Sequence, residues 1–216
     1  MRHLFLLTLC CCVALCACGR STPTNYYVLE STAPDMASGP LPSTSLRVAP
    51  VTVPQYADKT SLVRQGVAQQ GSNSGPNQGP NAGASHGAAV SITLDDTQQW
   101  AESLPEGIRR VVQAELAEPL RQKKVHVLAN ADESDSDYTL FIHVERLDSV
   151  ANAAQHTARL AAQWRCEKDR RVLAQGVFSD SESMQNDAPQ TLVQAQSALV
   201  RRMAAWILGQ LPKLAR

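Results

Sequence analysis

The sequence predicts an α+β domain, a two-layer sandwich in which two helices lie on one face of an antiparallel or mixed β-sheet. Three observations carry that expectation. Tyr138, Leu140, Ile142 and Val144 alternate with Thr139, Phe141, His143 and Glu145, and Ala158, Leu160, Ala162, Trp164 and Cys166 alternate with the residues between them. Such period-two runs mark strands with one buried face. Two other stretches carry apolar residues at helical spacing behind a proline start signal. With 44% hydrophobic residues in 216, the chain can build one core of this size.

The elements follow in order. Tyr26, Tyr27, Val28 and Leu29 read as a short first strand, and residues 31–45, with four prolines or glycines, as a connector. In "LRVAPVTVP" at 46–54 the apolar phase slips by one at Pro50, which predicts a bulged or edge strand. Residues 61–65 form another short strand, and Val90, Ile92 and Leu94 alternate in a further one. Ser103 can cap a helix with Pro105 in its first turn and Glu106 closing a capping box. That helix runs to about Ala117 with Leu104, Ile108, Val111, Val112 and Leu116 on one stripe, and Pro119 marks its end. Residues 125–128 read as a strand, 132–137 as an acidic turn, and 167–171 as a polar hairpin turn into a strand over 172–178. Asp187-Ala188-Pro189-Gln190 repeats the cap-and-proline device before a last helix, whose stripe is Leu192, Leu199, Met203, Ile207 and Leu211.

The N-terminus has a different logic. Arg2 and His3 precede an apolar run at 4–16 that ends at the small residue Ala17, the layout of a secretory signal and too short to span a bilayer comfortably. Leu15-Cys16-Ala17-Cys18 resembles the bacterial lipobox, in which a small residue precedes a cysteine that is acylated and becomes the new N-terminus. Residues 1–17 are then a lipoprotein signal peptide and Cys18 the lipidated residue. A plain secretory signal fits the pattern less well, and Cys12 and Cys16 lack a small residue before them. Of six cysteines only Cys18 and Cys166 would remain, which leaves no disulfide framework and too few thiolates for a cysteine-type zinc site. Lipoproteins of this type carry three acyl chains, and two already hold a protein stably, so the expectation is a chain anchored to a membrane without crossing it. Gly19 lacks the aspartate that retains Gram-negative lipoproteins at the inner membrane, which points to the inner leaflet of the outer membrane. Residues 18–45 then form tether, first strand and connector, and 46–216 the domain proper.

Loss of Arg2 with the signal leaves charges nearly balanced, and no basic run or aromatic-basic interleaving points to nucleic acid. Residues 66–89, "GVAQQGSNSGPNQGPNAGASHGAA", cannot bury enough apolar surface to offset the entropy of ordering, and read as a flexible insertion between two strands.

Enzyme chemistry finds little support. Gly83, Ser85 and Gly87 match G-x-S-x-G, but that motif needs a strand before the serine and a helix after it, and here a Gly- and Asn-rich stretch precedes and a strand follows. The acidic residues at 132–137 lack the glycine and terminal glutamate of an EF-hand. Cys166 sits in the apolar phase of its strand beside Trp164, where cysteine behaves as a small buried hydrophobe, and His126, His143 and His156 lack metal-ligand spacing. Trp100, Trp164 and Trp206 are candidates for lipid contact. Trp164 shares the phase of Leu160 and is expected in the core, whereas Trp206 lies beside its helix stripe and is the stronger candidate for exposure.

The lipobox, the early "YYVL", "LRVAPVTVPQYADKTSLVRQ" and "LDDTQQWAESLPEGIRRVVQAELAEPL" together resemble the ABC-type transport auxiliary lipoproteins, the PqiC (paraquat-inducible protein C) family. In that family a proline-bearing strand, a Y-x-D turn, an arginine strand and a Trp-Ala-Glu segment recur in this order, matching Val51 to Pro54, Tyr56 with Asp58, Val63-Arg64, and Trp100-Ala101-Glu102 here. Ser103, where proline is common, and the long insertion depart from the pattern. The resemblance implies a non-enzymatic outer-membrane component of a lipid transport system. Its partners would be an inner-membrane protein with MCE (mammalian cell entry) domains and, in some operons, an ABC transporter. It implies no cofactor beyond the acyl chains on Cys18 and no metal. Tyr56, Asp58, Arg64 and Trp100 become motif positions for partner contact or packing. Self-association into a ring is compatible with such a role, and an envelope-assembly or structural lipoprotein would use the same anchor and fold.

Overall fold

Two long hairpins organise the molecule. The computed structural model describes residues 22–34, 39–67, 90–129, 136–151 and 156–211. Strands β6 (Tyr138–Ala151) and β7 (His156–Lys168) pair antiparallel, and β8 (Arg171–Met184) returns along β7 after a two-residue turn. The turn residues Asp169 and Arg170 take φ of 48° and 61°. Positive φ at both central positions belongs to the type I′ turn, whose twist matches that of the strands it joins.

The other edge of β6 forks. Its beginning pairs in parallel with β2 (Thr44–Val48), which pairs in turn with β5 (Val125–Leu128). Its end pairs with β3 (Ser61–Val67), which carries β4 (Val90–Trp100) antiparallel and, beyond it, β1 (Asn25–Tyr27) parallel to β4. Five strands in the order β5-β2-β6-β7-β8 therefore join three in the order β1-β4-β3 through the pairs Gln65–Val150 and Gly66–Ala151.

Helices α1 (Leu104–Gln122) and α2 (Pro189–Gln210) lie against each other on one face of the five strands, α1 over β5 and β2, α2 over β7 and β8. This is the two-layer α+β arrangement expected. The inward phases of β2, β5, β6 and β7 and the helix stripes meet in one core that includes Leu46, Val125, Leu140, Leu160, Ile108, Leu116, Leu199 and Met203, all fully buried. A bulge between Val144 and Arg146 lets Leu147 rejoin the buried phase. Leu29, 1% exposed, follows β1, and the chain around it is bound to both helices: Arg110 donates to the Leu29 carbonyl at 2.8 Å, and Ser197 Oγ accepts from the Glu30 amide at 3.0 Å.

Several local expectations are corrected. Pro119 lies inside α1 rather than ending it, and the helix continues to Gln122. Proline so late costs one backbone hydrogen bond, and the turn it permits buries Leu120 to 1% exposure, a gain of about 1.5–3 kcal/mol. The capping box does not form: Ser103 is the N-cap residue but makes no side-chain cap bond, and Glu106 pairs with Arg109. At α2 the N-cap is Ala188, with Pro189 starting the helix, while Asn186 Oδ1 accepts from the Ala188 amide and the Thr191 hydroxyl. The slip at Pro50 is real, but β2 is an internal strand between β5 and β6, not an edge. Beyond β2 the chain stays beside β6 through the Thr52–His143 bridge. Gly66 and Val67 belong to β3, and the rest of the insertion, the G-x-S-x-G stretch, most of the acidic turn and Cys18 lie outside the described residues.

Cys166 is buried in β7, and that burial, with the Glu167 charge, pushes its thiol from 9.0 up to about 11. The folded protein is expected to resist iodoacetamide at pH 8 and to react only once denatured. Because the folded thiol is the weaker acid, its contribution to stability is complete below pH 9 and drains away as pH rises towards 11. Equal labelling rates for native and unfolded protein would contradict this placement.

Candidate docking surface

With both helices on one side, the opposite face of β6, β7 and β8 carries no further layer among the described residues. Register alone aligns its side chains. Thr52, His143, Gln163 and Val177 form one row, and Phe141, Arg165 and Gln175 the next. Pro50 closes one end of the resulting shallow groove, whose volume is about 650 Å³.

The groove mixes apolar and cationic character. The Arg165 guanidinium stacks over Phe141 at 4.2 Å and bonds Glu167 at 2.5 Å, so a planar charge is held against an aromatic face. Val177 is 60% exposed beside it. Thr52 Oγ1 and His143 Nδ1 lie 2.7 Å apart. Such a surface can clasp a partner through a stacked arginine and apolar neighbours, residue types that dominate interface energetics. No three His, Cys, Asp or Glu side chains among the described residues are placed to hold a metal ion.

The floor of the groove is stiff. Trp164, 4% exposed, meets Trp206 edge to face at 6.0 Å, and Phe178 lies 5.9 Å from Trp206. Gly176 sits tightly under the rings, since a Cβ on it would stand 3.0 Å from both Trp164 Nε1 and Trp206 Cη2 and the rings would have to give by a few tenths of an ångström. Trp206, the stronger candidate for exposure, is half-buried in this cluster at the edge of the core.

The four motif residues do not converge on the groove. Trp100 is core, 5% exposed. Tyr56 is half-buried beside the ion pair of Asp148, fully buried, with Arg159 at 2.9 Å. Burial and then the Asp148 charge raise its phenol above the ordinary 10.0, against a backbone hydrogen bond from Leu147. Arg64 is half-buried on β3 opposite Thr93, and Asp58 is exposed in the turn that follows Pro54. Trp100 is part of the core, Tyr56 packs against it, and Asp58 alone of the four is exposed. The groove residues were missed because they occupy the outward phase of the two clearest strands, and alternation says nothing about whether that face is covered.

Comparison with known proteins gives this fold a setting. No curated protein matches the sequence. The crystal structure of an uncharacterised protein superposes with a TM-score of 0.63 at 18% identity, covering 87% of this chain and 98% of its own. That of a DUF330 protein from Xanthomonas campestris superposes with a TM-score of 0.60 at 17% identity, covering 86% and 93%. At these identities the likeness is one of fold. The model of the ABC-type transport auxiliary lipoprotein component family matches residues 84–207, more than half of the chain, with Trp100 inside the match and Tyr56, Asp58 and Arg64 before it. On that match the chain belongs to the family of ABC-type transport auxiliary lipoprotein components.

Proposed function

We propose that this auxiliary lipoprotein is acylated at Cys18 after removal of residues 1–17, sits on the periplasmic face of the outer membrane, and docks an MCE-domain inner-membrane protein of a lipid transport system. The observation that supports this reading is a helix-free sheet face bearing Arg165, Phe141 and Val177 on a member of a transport-auxiliary family. The anchor holds one end at the membrane and the stiff sheet presents the groove to a partner reaching across the periplasm. The protein carries no catalytic step in this role. It supplies position, and the ABC transporter supplies the work.

In-cell crosslinking of the tagged full-length protein, with mass spectrometry of captured partners, tests the assignment. Capture of an MCE-domain protein is the expected result. Capture of wall or assembly proteins alone overturns it in favour of a structural lipoprotein. Within the groove, Arg165→Glu is expected to lower the yield of the captured partner about tenfold or more while leaving the fold intact, since Arg165 is exposed and a reversed charge at an interface hot spot costs about 2 kcal/mol or more.

A further inference from the structure

We propose that the β3–β4 arm, through exposed Ile92 and Leu94 on β4, lies against the zwitterionic surface of the bilayer that holds the acyl anchor. The inference rests on acylation of Cys18. Its physical basis is the direction and length of the tether. Asn25 pairs with Gln98, and because β1 runs parallel to β4, the chain before Asn25 leads back towards the beginning of β4. Leu94 and Ile92 stand four and six residues up that strand from Gln98, at most about 13 and 20 Å away at the rise of a β-strand. Cys18 is seven residues before Asn25, a span of at most about 25 Å even when fully extended. The anchor and the apolar pair are therefore within reach of each other.

The attachment point does not swing freely. β1 is hydrogen-bonded along β4, Tyr27 donates to Gln98 at 2.7 Å, and Leu29 is buried below the helix layer. An anchor on so short a leash keeps the β1 side of the molecule at the membrane.

Chemistry at that end suits a lipid surface. Ile92 and Leu94 share one face of β4 and are each 46% exposed, and Tyr26 on β1 is 64% exposed. Exposed aliphatic side chains are what an interfacial contact buries at the headgroup boundary, whereas Tyr26, opposite Gln99, lies further along β4 from the pair. Asp95 and Asp96 adjoin the pair, so the contact is apolar and disfavours anionic headgroups.

The test uses the full-length acylated protein in phosphatidylcholine vesicles. Ile92→Cys, Leu94→Cys and, as reference, Val177→Cys are each labelled with an environment-sensitive fluorophore. All three positions are exposed, and buried Cys166 does not compete for label. Lipids spin-labelled near the headgroup are expected to quench positions 92 and 94 about twofold or more over position 177, with little change at high salt. Floating protein whose positions 92 and 94 are quenched no more than 177 overturns the proposal while the anchor stands. A blue-shifted label that the spin-labelled lipid leaves unquenched marks a protein contact and overturns it too. Protein that fails to float removes the anchor reading, and the proposal with it.

Discussion

Trp164→Ala is expected to destabilise the domain by about 3–5 kcal/mol, the usual cost of deleting a buried tryptophan ring and leaving a cavity behind. Trp164 is 4% exposed, meets Trp206 edge to face, and lies close over Gly176, where a Cβ would stand 3.0 Å from its Nε1. Neighbouring strands on both sides hold the backbone, so the site cannot collapse to refill the volume. A loss of this size is a large part of the roughly 5–15 kcal/mol that holds a typical domain together. Urea unfolding should show the midpoint falling with the slope unchanged. Trp164→Phe should recover more than half of the loss, because the indole Nε1 is buried without a hydrogen-bond partner and its removal relieves a desolvation cost of about 1–3 kcal/mol. A midpoint shift for Trp164→Ala equivalent to less than about 1 kcal/mol would contradict the packing described.

Removing the proposed acyl site at Cys18 should change where the protein is found. With a cleavable secretory signal in place of residues 1–17 and Cys18→Ala behind it, the protein is expected to leave the membrane fraction almost entirely and to be recovered as soluble periplasmic protein. No helix among the described residues is long and apolar enough to cross a membrane, and the apolar pair Ile92 and Leu94 offers far less buried area than even one acyl chain, which itself binds only marginally. Flotation of wild type and variant in a lipid gradient measures the difference. A variant that still floats with the membranes would show that something other than Cys18 holds the chain there.

The strands and helices that carry the core were legible because each imposes its own period. Leu140, Ile142 and Val144 read as one buried face, as did the stripes of both helices, and all are buried except Leu211, which follows the end of α2 and is half-buried. What escaped were features set by tertiary context. The last turn of α1 survives Pro119 because Leu120 has a core to enter, and the capping box fails because Glu106 is taken by Arg109. The fork of β6 could not be read, since period two fixes which residues share a face but not which strand lies alongside. Ile92 and Leu94 show the same limit: their alternation is as clean as that of Leu140 and Ile142, yet their face is exposed. The groove was hidden for the converse reason. Phe141, His143 and Arg165 stood out only as the partners of core residues, and their meeting with Thr52 and Val177 depends on pairings between segments about ninety residues apart or separated by a turn. The motif residues Tyr56 and Trp100 were found from sequence, but Tyr56 packs against the core, Trp100 is part of it, and neither lines the groove.

The most direct test of the docking account places a photo-crosslinking amino acid at Val177, in the groove, and in a second strain at Gln194, exposed on the helix layer. Irradiated cells are expected to yield an adduct with an MCE-domain protein from position 177 and none from position 194. An adduct from position 194 with none from position 177 would show that the partner docks on the helices and that the open sheet face serves another purpose.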